Sequence, residues 1–171
     1  MTNVTFKGEP VTLAGKFPQV GDTVGDFKLT NTDLKEITLQ DFKNKKLILL
    51  SIFPSLDTPV CSESVINFNK TATNMQDSVV VLCISKDLPF AQKRFCGVQE
   101  INNALTLSAF RNSEFAKQMG VDIVDSPLRG LLARAIILLN HDFKVLYTQL
   151  VANITDKPDY EECLAFIANY S

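Results

Sequence analysis

Two nearly unbroken apolar runs stand out, Leu47-Ile48-Leu49-Leu50-Ser51-Ile52-Phe53 and Val79-Val80-Val81-Leu82-Cys83-Ile84. Each has strand length and no in-out alternation, the pattern of a strand buried on both faces. Between them Cys61, Val65, Phe68, Ala72 and Met75 recur every three or four residues, which marks one face of a helix. Two such strands joined by a helix form a parallel, right-handed βαβ unit. Downstream, a helix is expected over 89–96, with Asp87 capping its start and Gly97 closing its end. A β-like stretch at 105–107 and a short helix at 113–119, stopped by Gly120, follow. Strands at 135–139 and 145–151 flank Asn140-His141-Asp142-Phe143, which is hairpin spacing. The last helix, 158–168, places Tyr160, Cys163, Leu164 and Ile167 on one face. Upstream, Val4-Thr5-Phe6 and Val11-Thr12-Leu13 read as a hairpin turning through Gly8-Glu9-Pro10. A loop with Pro18, Gly21 and Gly25, a short strand near 27–29 and a helical turn at Leu39–Phe42 complete the pattern.

The order is hairpin, βαβ, helix, ββα. It predicts an α/β protein with the thioredoxin fold: a central mixed β-sheet flanked by helices, with an N-terminal β-hairpin extension over 1–15. No repeat, low-complexity tract or linker interrupts the chain, so a single domain over 1–171 is expected. Lys and Arg number 17 against 19 Asp and Glu, a net charge of −2 with no basic cluster. This gives no footprint for nucleic acid or for an anionic membrane. The opening MTNVTFKGEP lacks the basic and apolar regions of a secretory signal, and no apolar run is long enough to span a bilayer. A soluble, cytoplasmic protein is expected.

The cysteines are Cys61, Cys83, Cys96 and Cys163, and the only histidine is His141, in a turn. No two cysteines lie close enough to suggest a zinc site, so neither metal nor other cofactor is expected. Buried thiols or redox chemistry remain. In Thr58-Pro59-Val60-Cys61, Thr58 suits an N-cap and Pro59 the first helical position. Cys61 then falls in the first turn, where free amides and the positive dipole end favour an anionic sulfur. Position alone leaves a reactive thiol and an inert core thiol open, because Cys61 also starts the apolar stripe. Pro54 and Pro59 favour the reactive reading, since they shape a stiff loop at the C-terminal edge of the sheet, where α/β proteins place ligands.

The run Pro54-Ser55-Leu56-Asp57-Thr58-Pro59-Val60-Cys61 resembles the Pro-x-x-x-Thr-x-x-Cys signature of the peroxiredoxins. The segments 51–61, 82–97 (LCISKDLPFAQKRFCG), 107–114 (LSAFRNSE) and 133–135 (ARA) resemble its bacterial thiol peroxidase subfamily, an atypical two-cysteine type. The resemblance implies an enzyme that reduces hydrogen peroxide and alkyl hydroperoxides in antioxidant defence. Cys61 would be the peroxidatic thiolate, oxidised to a sulfenic acid. Thr58 would orient the peroxide, Pro54 would shield the sulfur, and Arg134 would stabilise thiolate and transition state. Cys96 would be the resolving cysteine, closing a Cys61–Cys96 disulfide that thioredoxin reduces, and the protein would be a homodimer. From the residues alone, Arg134 fits a surface ion pair equally well. Cys96 fits a helix-end thiol without a role, although Gly97 and the nearby Lys93 and Arg94 suit a mobile, reactive one. Cys83 and Cys163 read as core thiols. Phe53 and Phe90 are candidates to line an apolar entrance, and Arg111 is open between a supporting residue and a dimer surface. Two other functions fit parts of the pattern. A thiol–disulfide oxidoreductase normally carries Cys-x-x-Cys, and Thr58 stands where its first cysteine belongs. A redox sensor that does not turn over differs only in rate.

Overall fold

The computed structural model describes residues 4–75 and 78–170. The strands are β1 (Val4–Phe6), β2 (Glu9–Val11), β3 (Leu13–Ala14), β4 (Lys28–Thr30), β5 (Glu36–Thr38), β6 (Leu47–Ile52), β7 (Val79–Ser85), β8 (Leu105–Ser108), β9 (Asp122–Ile123), β10 (Ala135–Asn140) and β11 (Val145–Leu150). The helices are α1 (Pro59–Asn74), α2 (Pro89–Val98), α3 (Phe115–Gln118) and α4 (Tyr160–Asn169), and Leu39–Phe42 forms a 3-10 turn. Seven strands make the central sheet in the order β11-β10-β6-β7-β8-β4-β5. The pairs β6–β7 and β7–β8 are parallel, while β10 is antiparallel to both β6 and β11. This is the expected mixed α/β sheet of the thioredoxin fold, with β6-α1-β7 as its βαβ unit.

The two unbroken apolar runs are buried on both faces because the sheet has a core on each side. Ile48, Leu50 and Ile52 join Leu82, Ile84, Ile137 and Leu139 on one side. Leu47 and Leu49 join Val81, Leu138 and the inner faces of α1 and α4 on the other. Phe68 of α1 meets Tyr160 of α4 edge to face, with ring centroids 5.4 Å apart. Burying each large apolar side chain contributes about 1.5–3 kcal/mol, so the α1–α4 layer fixes the helix that starts at the sheet's C-terminal edge.

Several local expectations need correction. The hairpin turns at Lys7 and Gly8, whose φ values of 51° and 84° are both left-handed. That is a two-residue turn, so Glu9 and Pro10 belong to β2. Pro10 is tolerated because β2 is an edge strand. The hairpin is tied down by Thr5, whose N–H donates to the Ala152 carbonyl (2.7 Å) and whose carbonyl accepts from Ile154 N–H (2.9 Å). Asp87 does not cap α2: the N-cap is Leu88, without a side-chain bond, and the helix passes through Gly97 to Val98. The chain turns instead at Glu100, with φ 56°. Leu164 faces outward rather than sharing the buried face of Cys163 and Ile167. Gly120 does end α3, since at φ 66° any Cβ there would strike the Phe17 backbone.

Candidate active site

Cys61 is the third residue of α1, after Thr58 at the N-cap and Pro59 at the first helical position. Its position follows from β6, which delivers the chain to the sheet edge, and from Pro59, which starts the helix there. The side chain is 0% exposed, yet it has a charged partner. Arg134 immediately precedes β10, is 4% exposed, and donates from Nη1 to Cys61 Sγ at 3.2 Å. Its Nε donates to the Ile154 carbonyl at 2.9 Å. Two bonds therefore set the guanidinium plane. A surface ion pair is excluded by this burial. A buried guanidinium thus faces the sulfur, which sits in the first turn of α1 beside that helix's free N-terminal amides.

Thr58 and Pro54 lie beside this pair, in the wall of an apolar cavity of about 210 Å³. Thr58 Oγ1 donates to the Ser55 carbonyl at 3.0 Å, not to the Cys61 sulfur. Its proton is thus committed, and its oxygen is left as an acceptor towards the cavity. The other walls include Phe6, Val60, Leu128 and Ile154, with Arg134 as the charged member. Phe53 does not reach this entrance, being 1% exposed in the core, and Phe90 projects into solvent from α2 without lining the cavity. The sequence pointed to the wrong phenylalanines because neither the hairpin's reach across the sheet nor the 126–130 turn is visible in local pattern.

Cys96 sits in the C-terminal half of α2, half-buried against the same core as Cys61. Its Sγ lies 3.5 Å from Thr106 Oγ1. All four cysteines are free thiols, so Cys61 and Cys96 are not joined. Burial pushes the Cys96 thiol above its ordinary value of 9.0, with the Thr106 hydroxyl acting weakly the other way. Lys93 and Arg94, expected to favour its thiolate, are both exposed and do not reverse that effect. Cys83, within β7, is pushed far up by complete burial. Burial, aided by Glu162 and Asp159, raises Cys163 to about 12. Both fit the core role read from the sequence. Arg111 is remote from this cavity and stacks on Phe110, with its guanidinium carbon 5.1 Å from the ring centroid. Among the described residues no group of three or more His, Cys, Asp or Glu side chains could hold a metal ion. Among them no helix is long and apolar enough to cross a membrane.

Residues 19–164 match the redoxin family model. The chain is 47% identical over 165 residues to a thiol peroxidase from Corynebacterium glutamicum, a match covering 96% of this chain and 98% of that one. A crystal structure of a peroxiredoxin-like protein from Aquifex aeolicus has a TM-score of 0.91 at 39% identity, covering 98% of this chain and 96% of that one. The thiol peroxidase from Chromobacterium violaceum shares the fold, with a TM-score of 0.85 at 24% identity over 98% and 95% of the two chains.

Proposed function

We propose, from the premise that this chain belongs to the redoxin family and is one of its thiol peroxidases, a specific assignment of the reaction to its residues. The activity itself is that of a thiol-dependent peroxidase. The observation that carries the assignment is the 3.2 Å contact of Arg134 Nη1 with Cys61 Sγ at the start of α1.

A hydroperoxide ROOH enters the cavity and donates its O–H to Thr58 Oγ1, whose own proton is held by Ser55. This aims the distal oxygen at the sulfur. The Cys61 thiolate attacks along the O–O axis, the S–O bond forms, and the O–O bond breaks. The leaving RO⁻ takes back from solvent the proton released when the Cys61 thiol ionised, and departs as ROH, or as water when R is hydrogen, leaving Cys61 as sulfenic acid. The Arg134 guanidinium offsets the negative charge as it moves from sulfur to the leaving oxygen. Pro54 keeps bulk water off the sulfur. Cys96 then attacks the Cys61 sulfur, water leaves, and a Cys61–Cys96 disulfide forms. The dithiol of thioredoxin reduces that disulfide and carries the oxidation away. Each sulfur has its own partner in the reduced protein, Arg134 for Cys61 and Thr106 for Cys96, so both must leave those contacts for the bond to form. Sulfur performs every step, and no metal or organic cofactor is required.

Both hydrogen peroxide and alkyl hydroperoxides are the proposed substrates, the latter suited by the apolar walls. A homodimer in a reducing cytoplasm, where thioredoxin is kept reduced, is the proposed working form, and one domain carries the whole site. The test is peroxide turnover with thioredoxin, combined with mass spectrometry of the oxidised protein. Cys61→Ser should abolish turnover. Cys96→Ser should be oxidised once and then recycle poorly with thioredoxin. Oxidised wild-type protein lacking a Cys61–Cys96 linkage would refute the assignment of Cys96.

A further inference from the structure

Asp87 precedes α2 but leaves that helix uncapped. Its carboxylate is spent elsewhere. Oδ1 accepts from Ser55 Oγ at 2.8 Å, and Oδ2 accepts from Leu56 N–H and from Ser85 Oγ, both at 2.7 Å. Two of these three donors belong to the loop that runs from Pro54 to Thr58. Bonds of this length to a carboxylate are charge-assisted and roughly twice as strong as neutral ones.

Ser55, fixed in this way, organises the rest of the loop. Its hydroxyl accepts from Asp57 N–H at 3.1 Å. Its carbonyl accepts from Thr58 N–H at 3.3 Å and from Thr58 Oγ1 at 3.0 Å. The direction in which Thr58 presents its oxygen lone pairs is therefore set by the Ser55 carbonyl. The Ser55 carbonyl is in turn set by Asp87.

The carboxylate itself rests on three elements of the sheet and helix layer. Ser85, the last residue of β7, is buried and accepts from Gln92 Nε2 of α2 at 3.2 Å. Gln92 also donates to the Leu107 carbonyl of β8 at 3.0 Å. Ser108 Oγ donates to the Asp87 carbonyl. One half-buried acid thus joins the ends of β7 and β8 and the inner face of α2 to the loop in front of Cys61.

We propose that Asp87 is a positioning residue for the peroxide reaction: through Ser55 it orients the Thr58 hydroxyl that receives the hydroperoxide. This rests on the assignment of Cys61 and Thr58 above. Asp87 touches neither the sulfur nor the cavity, so it acts only through these two residues. Asparagine at this position keeps the size and one acceptor oxygen, but its amide group cannot accept. At least one of the three donors then loses its partner, and the amide must turn its own donors towards Ser55 or towards Leu56 and Ser85.

The distinguishing experiment compares two reactions at the same sulfur. Oxidation of Cys61 by hydrogen peroxide needs Thr58 correctly aimed, whereas alkylation by iodoacetamide needs this buried sulfur to become reachable but makes no use of the Thr58 oxygen. In the full chain, Asp87→Asn should slow peroxide oxidation by about tenfold or more while alkylation stays within about twofold. Ser55→Ala, which leaves Asp87 bonded to Leu56 and Ser85, should show the same split with a smaller loss. It also serves if Asp87→Asn folds poorly. The double variant should be no slower than Asp87→Asn alone. Peroxide rates within twofold of wild type, or both reactions changing in the same proportion, would overturn the proposal. Retained peroxide consumption by Cys61→Ser would instead sink the assignment of the nucleophile, whatever Asp87 does.

Discussion

Cys61 and Cys96 pack against one core, yet their surroundings prepare them for opposite tasks. Cys61 is wholly buried, sits at a helix N-terminus and faces a buried guanidinium. Its loop is held by Thr58, Ser55 and Asp87. Cys96 lies in the half of α2 whose other residues are exposed or half-exposed, and its polar neighbour is a single hydroxyl. The fully buried residues of α2, Pro89 and Gln92, are all in its first half. A sulfur that must attack a small molecule gains from a rigid, charged setting. A sulfur that must travel gains from weak attachment, and it gives up acidity in return.

The strongest way to break this contrast is to remove the guanidinium. Arg134→Met keeps bulk but deletes both the Cys61 and the Ile154 bonds. Second-order oxidation of Cys61 should fall by about 10²-fold, the usual loss for one donor aimed at developing charge, as read by stopped-flow kinetics. Disulfide closure from preformed sulfenic acid should change far less, because Arg134 is not a partner of Cys96. An equal loss in both steps would erase the distinction between the two sulfurs.

The next test uses acidity. The Cys96 thiol is pushed above 9.0, so at neutral pH it is almost wholly protonated and only its thiolate attacks. The closure rate should therefore climb about tenfold per pH unit from pH 6 upward, with no plateau below about pH 9. Rapid-quench mass spectrometry of the closing disulfide would measure it. A plateau near pH 7 would mean that burial does not govern the acidity of Cys96.

The smallest effect should come from the cavity wall. Phe6→Ala leaves sulfur, guanidinium and Thr58 in place and removes only apolar surface at the entrance. Efficiency with cumene hydroperoxide should fall roughly fivefold relative to hydrogen peroxide, equivalent to about 1 kcal/mol of lost contact. Parallel losses for both substrates would mean that Phe6 supports the fold rather than the substrate.

The elements that carry Cys61 were legible because their signals are local and redundant. β6 and β7 are apolar except for one serine each, α1 has a clean helical stripe, and Thr58-Pro59 marks its start. What local pattern missed depends on contacts between distant segments. β5 has only three residues and lies at the sheet edge, too short to show alternation. β3 and β9 have two residues each and form through long-range pairing, with one another and, for β9, also with Leu132. Asp87 satisfies the rules for a cap, but the hydroxyls of Ser55 and Ser85 and the Leu56 amide compete for the same carboxylate and win. Phe6 and Leu128 line the cavity beside turns in which a non-glycine residue, Lys7 or Ser126, takes a left-handed conformation along with a glycine. Gly97 looked like a helix stop, yet the intact helix tolerates it.

The N-terminal hairpin is more than decoration on the sheet. Thr5 is bonded across to Ala152 and Ile154, the Ile154 carbonyl holds Arg134, and Arg134 holds Cys61. Affinity tags and fusion partners joined upstream therefore load the first link of a short mechanical linkage that ends at the nucleophile. Kinetic comparisons between preparations should place such additions after α4, and a variant shortened through residue 6 should be treated as an altered enzyme rather than a trimmed one.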